Sequence, residues 1–326
     1  MIGRTKRSKF LLPASVVALI VFAQDSGSGI YQEHSSPINI EKKAVPLTVS
    51  SGDIDNDGFP DIYISTFIRK SLFKKGTFND PNHRTANIVL HNNRDYTFSD
   101  ITQSSGLDYK QNTFYSRFVN LDSDEFVDLV VVPNTDRVQV YKNLGNLKFQ
   151  RMAPLTDFGF WMGVAVGDID GDGDDDIFLS NAGRSIPRFL LSGDARDDQP
   201  IDIGWRLLRN DGEFIFTDIT EKSGVGFDEW AWGSEFADFN NDGYLDLVVL
   251  ENFIDWPIHK VFANPGRLLI QDTQGRFVST EGRSGVSNRF FGQTPIVVDF
   301  NSDNFPDLVY LNQNGPVRVF LNDGGK

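Results

Sequence analysis

The sequence has no cysteine, which excludes disulfides and thiolate metal sites. Histidine is scarce: His34, His83, His91 and His259 are scattered and form no HExxH pair. No GxSxG elbow and no phosphate-binding P-loop occur, so the motifs of zinc proteases, serine hydrolases and P-loop nucleotide binders are missing. Positive charge is short, with 31 Lys and Arg against 45 Asp and Glu for a net charge of −14. An acidic surface repels nucleic acid and anionic lipid, which sets both aside as partners. Sustained helical periodicity is absent, so repeats built from helices are excluded. Carboxylate pairs abound, but they sit inside Asp-rich loops where a cation would consume them as ligands. No residue is nominated as catalytic, and the balance of motifs is against an enzyme.

What is present points to a packed, exported chain. Apolar residues make up 40% and aromatics 13%, with 28 Phe, a composition that few disordered proteins share. Arg4, Lys6, Arg7 and Lys9 form a basic start, and Phe10–Ala23 (FLLPASVVALIVFA) is an apolar run. Val21 and Ala23 suit the small-residue positions of a cleavage site, and polar QDSGSG follows at once. This reads as a signal peptide over residues 1–23, too short for a spanning helix of roughly 20 apolar residues. The expected location is secreted, periplasmic or cell-surface, with no membrane span after cleavage.

The remainder, residues 24–326, carries a repeat. Its copies are Asp53–Asp61 (DIDNDGFPD), Asn120–Asp128 (NLDSDEFVD), Asp168–Asp176 (DIDGDGDDD), Asp238–Asp246 (DFNNDGYLD) and Asp299–Asp307 (DFNSDNFPD). Each leads into a short β-rich run: Ile62–Ser65, Leu129–Val132, Ile177–Ser180, Leu247–Leu250 and Leu308–Leu311. Most follow another such run, as at Gly163–Val166 and Ile296–Val298. Between the loops, Phe98–Leu107 (FSDITQSSGL) and Phe216–Val225 (FTDITEKSGV) are near copies, with Phe277–Val286 a weaker one. The turn Asn210-Asp211-Gly212 marks a hairpin. One unit therefore reads as strand, Asp-rich loop, strand, connection, strand, tight turn, strand. Repeated four-stranded antiparallel units predict an all-β propeller with five blades visible.

These units resemble FG-GAP/VCBS repeats, as in integrin α-chain propellers and many bacterial surface proteins. The resemblance covers nearly all of residues 24–326 and implies a β-propeller with calcium in the blade loops. It does not imply one function, because the scaffold serves adhesins, lectins and enzyme-associated modules.

Calcium takes 6–8 oxygen ligands, and alternate side chains at loop positions 1, 3 and 5 can converge to supply them. Position 6 must turn sharply, which suits Gly. By analogy with the family, position 7 adds a carbonyl and position 9 closes the site. The first loop then offers Asp53, Asp55, Asp57, Phe59 and Asp61; the third Asp168, Asp170, Asp172, Asp174 and Asp176; the fourth Asp238, Asn240, Asp242, Tyr244 and Asp246. The fifth offers Asp299, Asn301, Asp303, Phe305 and Asp307, with Asn304 at position 6. The second is weakest, with Asn120, Asp122, Asp124 and Asp128, because Glu125 stands where Gly is wanted. The expected order is first, third and fourth best, fifth moderate, second weakly or not at all. An EF-hand is excluded by Ile64 and Leu179 at position 12 and by strand flanks.

Family propellers usually have seven blades, so a fragment of a seven-bladed propeller is the alternative. The last blade reads one strand short at Leu321–Gly324 (LNDG), and Ile30–Ile40 could supply that strand and close the ring. The five Trp (161, 205, 230, 232 and 256) are expected in the core; an aromatic platform for sugar is the other reading. Insertions at Ser185–Ile203 and Asn252–Gly266 could shape a binding surface. The leading function is a non-catalytic binding or adhesion module stiffened by calcium, its partner an extracellular protein or glycan. The alternative is a lectin-like or polysaccharide-processing protein with its site on a propeller face.

Overall fold

The computed structural model describes residues 38, 40–72, 80–183, 195, 198–251, 264–313 and 315–324. The signal-peptide segment, His34, Trp256, His259 and most of the two insertions lie outside the described residues. So does the closing strand expected at Ile30–Ile40, apart from Ile38 and Ile40.

The chain is an all-β propeller of five antiparallel blades. Blade 1 holds β1 (Ala44–Gly52), β2 (Asp61–Ile68), β3 (Ile88–Asn92) and β4 (Phe98–Asp100). Blade 2 holds β5 (Thr113–Val119), β6 (Asp128–Pro133), β7 (Gln139–Asn143) and β8 (Phe149–Arg151). Blade 3 holds β9 (Trp161–Gly167), β10 (Asp176–Asn181), β11 (Arg206–Asn210) and β12 (Phe216–Asp218). Blade 4 holds β13 (Ala231–Ala237), β14 (Asp246–Glu251), β15 (Arg267–Gln271) and β16 (Phe277–Ser279). Blade 5 has three strands among the described residues: β17 (Gly292–Val298), β18 (Asp307–Asn312) and β19 (Arg318–Phe320). Within each blade the strands pair in sequence order.

The continuous apolar runs after each loop follow from this stacking. Successive strand residues point to opposite faces, and in a propeller both faces of an inner blade are covered. On β6, Leu129 and Val131 join the core shared with blade 1, while Val130 and Val132 join the core shared with blade 3. All four are fully buried. On β10, Ile177 and Leu179 face blade 2 and Phe178 faces blade 4.

The first strands of all five blades contribute to the wall of one small pocket of about 40 Å³, through Thr48, Tyr115, Met162, Trp232 and Thr294. The inner strands approach closely at Gly163, where an added Cβ would collide with the Trp232 carbonyl of the next blade. Phe114 of blade 2 meets Trp232 of blade 4 at 5.5 Å between ring centroids, and Arg117 of blade 2 pairs with Glu235 of blade 4 at 3.1 Å.

The near-copy segments combine β4 or β12 with one helical turn, α1 (Thr102–Ser105) or α2 (Thr220–Ser223). Asp100 and Asp218 accept from the backbone N–H of Thr102 and Thr220 at 3.0 and 2.9 Å. The Thr hydroxyls in turn accept from Val89 and Leu207 N–H, and Gly106 and Gly224 end the turns with φ of 86° and 81°.

The four junctions between successive blades carry the same latch. The amide at the end of a blade's third strand donates to the loop carbonyl at position 2 of the preceding blade. Asn143 reaches Ile54, Asn210 reaches Leu121, Gln271 reaches Ile169 and Asn322 reaches Phe239, at 2.7–3.0 Å. The position-2 side chains Ile54, Leu121, Ile169 and Phe239 are buried beneath these latches. The corresponding amide of blade 1, Asn92, donates instead to Pro60 of its own loop. Among the described residues the latches thus join blades 1 to 5 in a row without closing it, and Phe300, the fifth position-2 residue, is 54% exposed.

Candidate metal centre

The five Asp-rich loops connect the first and second strands of each blade, and three pairs of successive loops are tied together. Position-4 side chains reach the next loop: Asn56 to the Glu125 carbonyl, Ser123 to the Asp174 carboxylate at 2.6 Å, and Asn241 to the Asn304 carbonyl at 3.0 Å. This places the loops side by side on one face.

Backbone donors dictate much of the motif. The position-1 carboxylate caps the reversal in the first, third, fourth and fifth loops. Asp53 accepts from Asp57 and Gly58 N–H at 3.0 and 2.8 Å, and Asp238 does the same for Asp242 and Gly243. Asp168 and Asp299 repeat the arrangement. Position 5 then accepts from position 7, as Asp57 does from Phe59 at 2.8 Å.

Position 6 is left-handed at Gly58, Gly173, Gly243 and Asn304, with φ from 69° to 95°. At Glu125 the backbone stays out of that region, consistent with the side-chain cost expected there. Position 4 is left-handed in every loop, at Asn56, Ser123, Gly171, Asn241 and Ser302, a feature the sequence reading missed.

The position-9 carboxylates are fully buried in all five loops. One oxygen accepts from the position-2 N–H and the other from the N–H at the end of the third strand. For Asp176 these are Ile169 at 2.9 Å and Asn210 at 2.8 Å. Asp61, Asp128, Asp246 and Asp307 follow the same pattern. Burial pushes the carboxyls of Asp128 and Asp246 up to about 6 and that of Asp176 up to about 7, against the pull of their N–H donors. Asp61 is raised for the same reason.

Two loops gather carboxylates at metal-binding distance. Oxygens of Asp53, Asp55 and Asp61, and of Asp168, Asp170 and Asp176, lie within 4.8 Å of one another. Asp55 supplies the most specific sign. Its Oδ1 is buried with no hydrogen-bond partner, a costly state for a carboxylate unless a cation meets it. An all-oxygen donor set of this kind fits a hard divalent cation of calcium's size. Asp170 is also held above the usual carboxylate range by burial and by Asp172. In the fourth and fifth loops, Asn240 and Asn301 donate to Asp242 and Asp303 at 2.9 and 3.1 Å.

Basic side chains distinguish the loops. In the second, the Lys142 ammonium binds Asp122 and lies 3.4 Å from Asp124, while the Asn120 amide is turned onto the Asp124 carbonyl. A protein cation thus supplies the counter-charge for these two carboxylates. In the first loop, Arg94 Nε is 2.5 Å from Asp57 Oδ2, and His91 Nδ1 is 2.9 Å from Asp61. Replacing Lys142 with Met should leave Asp122, 1% exposed, without its counter-charge and cost about 1–3 kcal/mol. Urea denaturation measures the loss.

Sequence reasoning also missed an acidic cluster. Arg267 contacts Glu251 at 3.0 Å, Glu229 at 3.2 Å and Glu281 at 3.5 Å. Of the four described Trp residues, Trp161 and Trp205 are fully buried, while Trp230 and Trp232 are partly buried and pack edge-on against Phe291.

This architecture, with Asp-rich reversals between the first two strands of every blade, defines a repeat β-propeller. The sequence model of the FG-GAP-like repeat matches residues 120–179 and 190–249. Comparison with curated proteins gives no match. Among solved structures, the chain is similar to the V. cholerae biofilm matrix protein Bap1, at 16% identity and a TM-score of 0.40, over 80% of this chain and 34% of that one. It spans about a third of Bap1's length. It is also similar to an Agrocybe aegerita lectin described as recognising non-reducing terminal N-acetylglucosamine, at 17% identity and a TM-score of 0.33, over 87% of this chain and 82% of that one. No helix among the described residues is long and apolar enough to cross a membrane.

Proposed function

We propose that the chain is an exported, calcium-binding propeller that acts as a non-catalytic binding or adhesion module. Residues 1–23 are its export signal, residues 24–326 form the propeller, and its partner is an extracellular protein or glycan. The observation that carries the calcium reading is the Asp53, Asp55 and Asp61 cluster with its orphaned Asp55 oxygen, supported by the Asp168, Asp170 and Asp176 cluster. Calcium neutralises these carboxylates and stiffens the loop face, so the ions are structural.

The test is a thermal melt of the calcium-loaded protein with and without chelator. A ligand at 100 times its Kd stabilises by about 2.7 kcal/mol per site, so two occupied loops should shift the midpoint by about 10 °C or more. An unchanged midpoint overturns the calcium reading. N-terminal sequencing of the exported protein should begin at Gln24.

A further inference from the structure

The first loop differs from the others in the side chain that stands over it. In each blade the last residue but one of the third strand precedes the residue whose N–H meets the position-9 carboxylate. That place holds His91 in blade 1, Lys142 in blade 2, Arg209 in blade 3 and Ile270 in blade 4.

Blade 2 shows how far a side chain from this place reaches. The Lys142 ammonium binds Asp122 at loop position 3 and lies 3.4 Å from Asp124 at position 5. In blade 3, Arg209 is drawn instead onto Asp211 at 2.6 Å. Ile270 brings no polar atom to the fourth loop.

His91 reaches the same two positions of the first loop. One of its ring nitrogens and carboxylate oxygens of Asp55 and Asp57 lie within 4.8 Å of one another. Unlike a lysine ammonium, a neutral imidazole carries a lone pair that a metal can take. His91 Nδ1 is 2.9 Å from Asp61 Oδ1. Donation from Nδ1 to that buried carboxylate leaves the lone pair on Nε2, which is how a carboxylate orients a metal-binding histidine.

The carboxylates on the other side are ready for a cation. Asp55 Oδ1 is buried and has no hydrogen-bond partner, and the Asp57 side chain is only 4% exposed. Arg94 Nε lies 2.5 Å from Asp57 Oδ2, but the Arg94 side chain is 56% exposed and can turn out to water when a metal arrives. It leaves Asp55 Oδ1 unmet.

We propose that the first loop binds a divalent transition-metal ion of the manganese-to-zinc series, held by Asp55, Asp57 and His91 Nε2, more tightly than it binds calcium. Calcium takes oxygen ligands, whereas imidazole suits the later ions of the series. The third loop gathers Asp168, Asp170 and Asp176 without a nitrogen and keeps the preference for calcium. This assignment rests on the reading of the first loop as a cation site and adds which cation it selects.

The experiment titrates Co²⁺ and, separately, Ca²⁺ into the metal-stripped full chain, read by cobalt's visible absorption and by calorimetry. Wild type should take up cobalt that an equal concentration of calcium does not displace. His91→Gln keeps a donor for Asp61 and removes the ligand nitrogen. It should weaken cobalt binding by at least the roughly 10–100-fold that loss of a group supporting a metal ligand costs, and leave calcium binding unchanged. Asp55→Asn should weaken both ions. As a readout that needs no variant, Zn²⁺ should shift a histidine Nε2 resonance of the wild type that Ca²⁺ leaves in place. Cobalt binding indifferent to His91→Gln overturns the proposal, as does displacement of cobalt by equal calcium, or a zinc titration in which no histidine resonance moves. In each of those cases calcium binding by the same chain would leave the calcium reading standing. Cobalt binding that depends on His91 in a chain that binds no calcium would sustain the transition-metal site and overturn the calcium reading instead.

Discussion

Replacing Asp176 with alanine is expected to lower the unfolding free energy by about 3–5 kcal/mol, since hydrogen bonds to a charged group contribute about 1.5–3 kcal/mol each. The side chain is fully buried, and its two oxygens hold the N–H groups of Ile169 and Asn210, at the two ends of the loop-and-strand unit of blade 3. Alanine leaves both donors buried without acceptors. Relief of a buried charge offsets part of the loss, because burial already pushes this carboxyl up to about 7. The calcium-loaded protein should lose more than the chelated one, since the variant also removes an oxygen from the Asp168 and Asp170 cluster. Equal losses in both states would make Asp176 a structural clip alone.

The same substitution alters the pH response. A carboxyl whose folded value is raised favours the protonated native state. Its contribution is fully present below the ordinary value of 3.8 and is lost as pH rises through about 7. Asp128 and Asp246, raised to about 6, act in the same direction. The chelated wild type should therefore melt at a higher temperature at pH 5 than at pH 8. Asp176→Ala should flatten that slope, and calcium bound as proposed would hold Asp176 ionised and flatten it too. A chelated protein that melts higher at pH 8 would contradict the assignment.

The loop motif was legible because the backbone demands it. Position 1 must accept two N–H groups, position 6 must turn left-handed, and position 9 must satisfy two buried donors, so Asp, Gly and Asp recur at fixed offsets. Other features left weaker traces. Position 4 is equally left-handed, but Asn, Ser and Gly there read as ordinary turn residues. The latches Asn143, Asn210 and Asn322 look like hairpin residues, and only their carbonyl partners in the preceding blade reveal the junction. Lys142 follows its loop by a full strand and meets Asp122 only because β7 lies beside β6. Glu125 in place of Gly set the second loop apart in the sequence, and its backbone does stay out of the left-handed region, whereas Arg94 beside Asp57 in the first is visible only in three dimensions.

Replacing Arg267 with methionine is expected to cost about 3–5 kcal/mol at pH 8, the usual price of stranding one member of a buried ion pair. Arg267 is the shared cation of Glu251, Glu229 and Glu281, and its guanidinium lies 4.6 Å from the Phe227 ring centre. Glu251 is completely buried at the end of β14 and accepts from Gly266 N–H at 3.2 Å. Burial pushes its carboxyl up to about 7 even against the pull of Arg267. Without the arginine that value rises further, and the native state takes up a proton. The penalty should accordingly be smaller at pH 5, where Glu251 is protonated at little cost, and larger as pH rises through its folded value. The double variant Arg267→Met/Glu251→Gln removes the stranded charge along with its partner and should recover most of the stability at pH 8. Urea denaturation of the three proteins at both pH values decides it. A single variant within about 1 kcal/mol of wild type at pH 8 would place the pair among the weak surface bridges. A double variant no better than the single would mean that the loss comes from the packing of Arg267 on Phe227, and that the three glutamates tolerate one another without it.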